Sequence, residues 1–200
     1  MPEDRTDAMG EQTTLSRRKR RAGQRLIVGL QGAGLNDDER RLFRKIRPAG
    51  FILFARNVEE PAQVRELNRE LHALLPDELP PLLSVDQEGG RVLRIKNTAW
   101  PAARYLGNIN RVDVTQNVAS GLGAELRAMG FNLNFAPVAD VDSNPANPII
   151  GDRSFGRSPD TVIRHMKAFM KGLHAQGIIA CCKHFPGHGD TSVDSHKDLP

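Results

Sequence analysis

The sequence is short of aromatic residues other than phenylalanine, with one Trp and one Tyr in 200 positions, and it holds two cysteines. These two, Cys181 and Cys182, are adjacent, and neighbours on a strand point to opposite faces, so they form no disulfide framework. They read as small buried residues. No apolar run approaches the roughly 20 residues of a membrane span. Leu26 to Leu30 is cut off by Gln31 and Gly32, too short for an export signal, although the basic block before it superficially resembles a twin-arginine signal. The cytoplasm is therefore the expected location. The net charge is +4, but it becomes −1 once the five positive charges of Arg17, Arg18, Lys19, Arg20 and Arg21 are set aside. So local a charge belongs to a tail, and it argues against a nucleic-acid-binding surface on the fold. Residues 1 to 22 are expected to be a disordered basic extension, and residues 23 to 200 one domain.

What is present from Arg25 onward is an alternation of short apolar runs with helix-period segments, the pattern of β/α units laid along a parallel sheet. The runs are Leu26 to Leu30, Phe51 to Phe54, Leu82 to Val85, Phe131 to Pro137 and Ile178 to Cys182. Asn36 with Glu39 three residues on has capping-box spacing, and Leu42, Phe43 and Ile46 should face the core. Pro61 opens a second helix with Val64, Leu67, Leu71 and Leu74 on one face. After an irregular stretch from Gly89 to Asn110, a third carries Val114, Val118, Leu122 and Leu126 and closes at Gly130. Ser158 and Pro159 open a fourth, which ends at Gly177. A complete (β/α)8 barrel takes about 250 residues, so the expected fold is a TIM-type barrel with about five of its eight units. A doubly wound five-stranded sheet is the alternative. Gly29, Gly32 and Gly34 match neither nucleotide-loop spacing and read as a plain turn.

Polar residues gather just past the C-terminal ends of these runs, on the rim where parallel α/β folds bind substrates. Asp86 follows the third run, Asp140 and Asp142 the fourth, and His184, His188, Asp190, Asp194 and His196 the fifth. Three readings of the last segment stand side by side. Histidines with carboxylates suit a metal such as zinc. A solvated loop whose histidines cap backbone groups is the plainest reading. Third, Asp194 beside His196 suits a general acid/base dyad, the carboxylate holding the imidazole's orientation and tautomer.

The run Lys183-His-Phe-Pro-Gly-His-Gly189, followed by Asp194-Ser-His196, resembles the signature of the NagZ-type β-N-acetylhexosaminidases of glycoside hydrolase family 3. Phe51-Ile-Leu-Phe-Ala-Arg-Asn57, Ser84-Val-Asp-Gln-Glu-Gly-Gly-Arg-Val92, Asn134-Phe-Ala-Pro-Val-Ala-Asp-Val141 and Asp152-Arg-Ser-Phe155 extend the resemblance over residues 24 to 200. It implies that His196 is the general acid/base with Asp194 as its partner, and that Asp86, Arg94, Arg153, Lys183 and His184 contact the sugar. It implies a retaining hydrolase acting on N-acetylglucosaminyl-anhydromuramyl peptides or related glycosides, monomeric, with no cofactor or metal. Hydrolysis and phosphorolysis stay open, as does a sugar-binding remnant without turnover. Relatives place the nucleophilic aspartate after the Asp-Ser-His element, so the chain is expected to be part of a longer enzyme. Glu88 reads as a structural carboxylate, His188 as a loop brace, and His72, His165 and His174 as surface residues. Arg153 either meets sugar or bridges to Asp140 or Asp142.

Overall fold

The computed structural model describes residue 18 and residues 20–75 and 80–199. The expected tail lies almost wholly outside them, although residues 20–23 form a helical turn. Five strands follow in chain order: β1 (Ile27–Gly29), β2 (Gly50–Leu53), β3 (Leu82–Val85), β4 (Leu133–Asn134) and β5 (Ile179–Ala180). The helices are α1 (Asp37–Ile46), α2 (Pro61–Ala73), α3 (Ala103–Ile109), α4 (Val112–Ala128) and α5 (Pro159–Ala175).

All strand pairs are parallel and the spatial order is β1-β2-β3-β4-β5. A doubly wound sheet reverses its order at a switch point, whereas a barrel adds each strand beside the last. The winding is therefore that of a TIM-type barrel wall, and the doubly wound alternative falls. Among the described residues β1 and β5 each pair on one side only, which leaves Ile27 and Ile179 exposed. Cys182, expected to be buried, is exposed just beyond β5 for the same reason.

The helix signals act as their chemistry requires. The Asn36 side chain accepts from the Glu39 amide, and the Glu39 carboxylate accepts from the Asn36 amide and also from the Gln31 amide at 2.9 Å. That last bond folds the glycine-bearing loop onto α1 as a structural turn. Gly130 and Gly177 have φ of +87° and +71°, the left-handed closures expected after α4 and α5. Phe43 turns inward against Phe51 as expected, but Leu42 departs from expectation and is exposed. Helix α3 was hidden in a stretch that reads as irregular, because its seven residues carry neither a side-chain cap nor an apolar stripe.

Strands β4 and β5 hold two residues each, far shorter than their apolar runs. Side-chain amides take over where β4 and its neighbour diverge. Asn132 bonds the Leu83 amide and the Pro81 carbonyl, and Asn134 bonds both the amide and the carbonyl of Gln87. The core below includes Phe51, Leu122, Leu126, Phe131, Phe155 and Leu173, all fully buried. Each such side chain contributes about 1.5–3 kcal/mol by leaving water.

Candidate active site

Over the C-terminal ends of the strands lies a cavity of about 470 Å³. Six of the seven side chains expected at the site line it: Asp86, Arg94, Arg153, Lys183, His184 and His196. The seventh, Asp194, sits behind His196. Glu88, His188 and Ser195 line it as well.

The floor is an ion-pair network. Asp86 leaves β3, and Lys183 lies past β5, where its backbone bridges Val138. The Lys183 ammonium is 2.7 Å from Asp86 and 2.6 Å from Glu88. The Arg153 guanidinium, from the turn Gly151–Arg153, grips both oxygens of Glu88 at 2.9 Å. Burial works against the charge of Arg153, but the Glu88 carboxylate and, further off, Asp140 and Asp86 outweigh it and hold its pKa above the usual value. The alternative bridge from Arg153 to Asp140 or Asp142 is not made: Asp142 is taken by Arg104 and Arg157. Glu88, with 5% of its side chain exposed, is the structural hub of this network.

Arg94 is held by its backbone. Gln87 accepts the amides of Arg94 and Ile95 and donates to the Ile95 carbonyl, so the loop after Asp86 is fixed by a buried side chain. The Arg94 guanidinium makes one long contact to Asp86, 3.5 Å, and its Nε has no hydrogen-bond partner. It therefore offers donors to a bound molecule.

Two His–Asp pairs meet the cavity. Asp194 forms an Asx turn: one oxygen accepts both the His196 amide, at 2.9 Å, and its ring Nδ1, at 2.8 Å. Those two bonds lower the Asp194 pKa and keep it ionised. The His196 side chain is 85% exposed, at the cavity mouth, with Nε2 left for chemistry. In the second pair, the fully buried Asp140 carboxylate meets Nδ1 of His184.

His188 braces the loop, as expected. Its Nδ1 meets Thr191, its Nε2 meets Ser195, and its carbonyl accepts from Asn147. Gly189 packs so closely that a Cβ would strike the Val141 carbonyl oxygen. The metal reading is not assembled: among the described residues no three His, Cys, Asp or Glu side chains stand in metal-binding geometry. His72 and His174 are exposed as expected, but His165 is buried, bonded to Thr115 and stacked on Phe155. Gln87, Asn134 and Asn147 carry no signal in the sequence, since single polar residues beside strands have no period, and Asp140, expected on the rim, turns out to hold His184 rather than Arg153. No described helix is long and apolar enough to cross a membrane.

A parallel sheet wound in one direction, with donors, carboxylates and an exposed His–Asp pair over its C-terminal rim, defines an α/β protein of the TIM-barrel-like class. The family model described as the glycosyl hydrolase family 3 N terminal domain matches residues 20–200, and the chain belongs to that family. A β-hexosaminidase of Pseudomonas aeruginosa is 39% identical over 178 residues, which cover 88% of this chain and 52% of that protein. One from Thiobacillus denitrificans is 41% identical, covering 88% and 50%. The chain thus spans about half the length of these curated relatives. Among solved structures, a family 3 β-N-acetylglucosaminidase from Paenibacillus is similar at TM-score 0.86 and 42% identity, covering 89% of this chain and 35% of that one. NagZ from Neisseria gonorrhoeae is similar at TM-score 0.80 and 38% identity, covering 88% and 53%.

Proposed function

We propose that this chain forms the acid/base and sugar-binding part of a retaining β-N-acetylhexosaminidase that releases terminal β-linked N-acetylglucosamine from peptidoglycan-derived sugars. The observation that carries the reading is the Asp194–His196 pair at the mouth of a cavity floored by Asp86, Arg153 and Lys183. The β-hexosaminidase relatives support the same reading, as does the complex of gonococcal NagZ with N-trifluoroacetyl-D-glucosamine.

In this reading Asp86 accepts sugar hydroxyls while Arg94, Arg153 and Lys183 donate to the ring's oxygens. His196, its Nδ1 proton committed to Asp194, delivers a proton from Nε2 to the departing glycosidic oxygen and later takes one from water. Asp194 stabilises the imidazolium and fixes the ring. Retaining glycosidases pair such an acid with a nucleophile about 5–5.5 Å away. The resemblance to family 3 assigns the nucleophile to an aspartate downstream of the Asp-Ser-His element in a longer polypeptide; Asp86 and Glu88, the carboxylates lining the cavity, are tied into ion pairs. Three cationic side chains face two carboxylates in the cavity, which also suits an anionic acceptor such as phosphate.

Turnover of nitrophenyl β-N-acetylglucosaminide by the full reading frame tests the reading. Activity that survives chelator and collapses with His196→Ala upholds it; loss to chelator overturns it in favour of a metal-dependent hydrolase. Comparing product with and without phosphate separates hydrolysis from phosphorolysis.

A further inference from the structure

Asp140 stands at the exit of β4 with its carboxylate completely buried, and it does not line the cavity. A buried carboxylate needs partners for its oxygens, and this one finds all of them in a single loop. One oxygen accepts the His188 amide at 2.6 Å; the other meets the His184 amide at 3.3 Å and the His184 ring at Nδ1. Burial works against its ionisation, but the His184 ring and the two amides outweigh it and leave its pKa below the ordinary value. An ionised carboxylate only accepts, so the hydrogen between the two groups belongs to Nδ1 of His184. The ring has little freedom to escape, since it packs edge-on against the His188 ring at 5.7 Å.

We propose that Asp140 is a positioning residue that locks His184 as the Nδ1–H tautomer, so that His184 meets the bound sugar with the Nε2 lone pair, as a hydroxyl acceptor. This rests on the sugar-site reading above and deepens it. The other polar side chains crowding that floor beside Asp86 and Glu88 are the donors Arg94, Arg153 and Lys183. A hydroxyl placed among them accepts from the cations and must itself donate, to Asp86, Glu88 or His184; both carboxylates already accept from Lys183, which leaves His184 as the acceptor free of a cation. Asp140 therefore selects for a hydroxyl at this point of the ring over an ether or fluorine, neither of which donates.

The substitution that isolates the effect is Asp140→Asn, which keeps the shape. The short bond to the His188 amide keeps the Asn oxygen on that side, so its NH2 faces His184 and donates to Nδ1. The neutral ring must then carry its proton on Nε2, turning an acceptor into a donor. Nitrogen-15 NMR of the imidazoles in the full-length enzyme, at alkaline pH, reads this directly. The expected wild-type spectrum shows His184 as Nδ1–H, switching to Nε2–H in Asp140→Asn. KM for the aryl β-N-acetylglucosaminide should rise about tenfold, as for losing one neutral hydrogen bond and facing the hydroxyl with a second donor, with kcat within about threefold. Adding His184→Ala to Asp140→Asn should cost little beyond either change alone. A wild-type His184 carrying its proton on Nε2 overturns the proposal, and that measurement requires no variant to fold. So does an unchanged tautomer and KM in Asp140→Asn. Because the tautomer is read without turnover, failure of the hexosaminidase reading would be seen separately, as absence of activity with the tautomer intact.

Discussion

The ammonium of Lys183 lies 2.7 Å from a carboxylate oxygen of Asp86, joining the exits of β5 and β3, two strands separated in the sheet by β4. One cation thus closes the floor of the site across an intervening strand, and its second bond, to Glu88, ties in the turn that carries Arg153.

Replacing Lys183 by Met is expected to leave Asp86 and Glu88 on the cavity floor without the cation they share. Removing one member of a largely buried pair costs about 3–5 kcal/mol. Urea unfolding should show that loss, and kcat/KM should fall by about a hundredfold because the sugar loses a donor as well.

Asp194→Ala should behave in the opposite way. The side chain's partner is an exposed ring, so stability should change little, while kcat falls by about 10²–10⁴ as the general acid loses its orientation. Parallel measurement of Tm and kcat checks the separation. Asp194 is ionised in the fold with its pKa lowered. The small stabilisation this gives is present above the ordinary Asp value and is lost as pH falls through the folded value.

His165 carries the expected acid sensitivity of the fold. Its ring is buried between α4 and α5, Nδ1 bonded to Thr115 at 2.8 Å and Nε2 without a partner. Burial, with help from Arg164, lowers its pKa. The unfolded chain therefore binds the proton first as pH drops through about 6.5, and stability falls from there down to the folded pKa, by at most about 1.4 kcal/mol per pH unit for one proton. Denaturation midpoints measured from pH 7.5 to 5 should show a slope that is reduced in His165→Phe.

Gly189→Ala is expected to displace the loop bearing His196, since the new methyl group meets the Val141 carbonyl. Activity should fall by about tenfold or more, while the core spectrum stays native. Near-UV circular dichroism beside kinetics distinguishes this from unfolding.

Much of this was legible in the chain. The capping box at Asn36, the prolines opening α2 and α5 and the glycines closing α4 and α5 act locally, so spacing reveals them. Asp86, His184 and His196 were legible because they sit past strand ends, whereas Arg94, Arg153 and Lys183 entered only through the family pattern. What stayed hidden depends on partners far away in sequence. Arg153 chose Glu88, 65 residues back, over the nearer Asp140 and Asp142, because both oxygens of Glu88 face its guanidinium. His165 reads as a surface residue until Phe155 and Thr115 close over it, and Leu42, expected inside together with Phe43, stays exposed because packing rather than the apolar label decides what a helix buries. The side-chain amides of Asn132, Asn134 and Gln87 extend the sheet in a way that no hydrophobic period records.

The central claim, that His196 hands a proton to the leaving oxygen, is tested most directly by the leaving-group dependence of His196→Ala in the full-length enzyme. A dinitrophenyl leaving group needs no proton and an alkyl sugar does. The account predicts a small loss of kcat/KM on the first, a loss of about 10²–10⁴ on the second, and partial rescue of kcat on the first by azide with formation of a glycosyl azide. An equal loss on every leaving group, with no rescue, would contradict it.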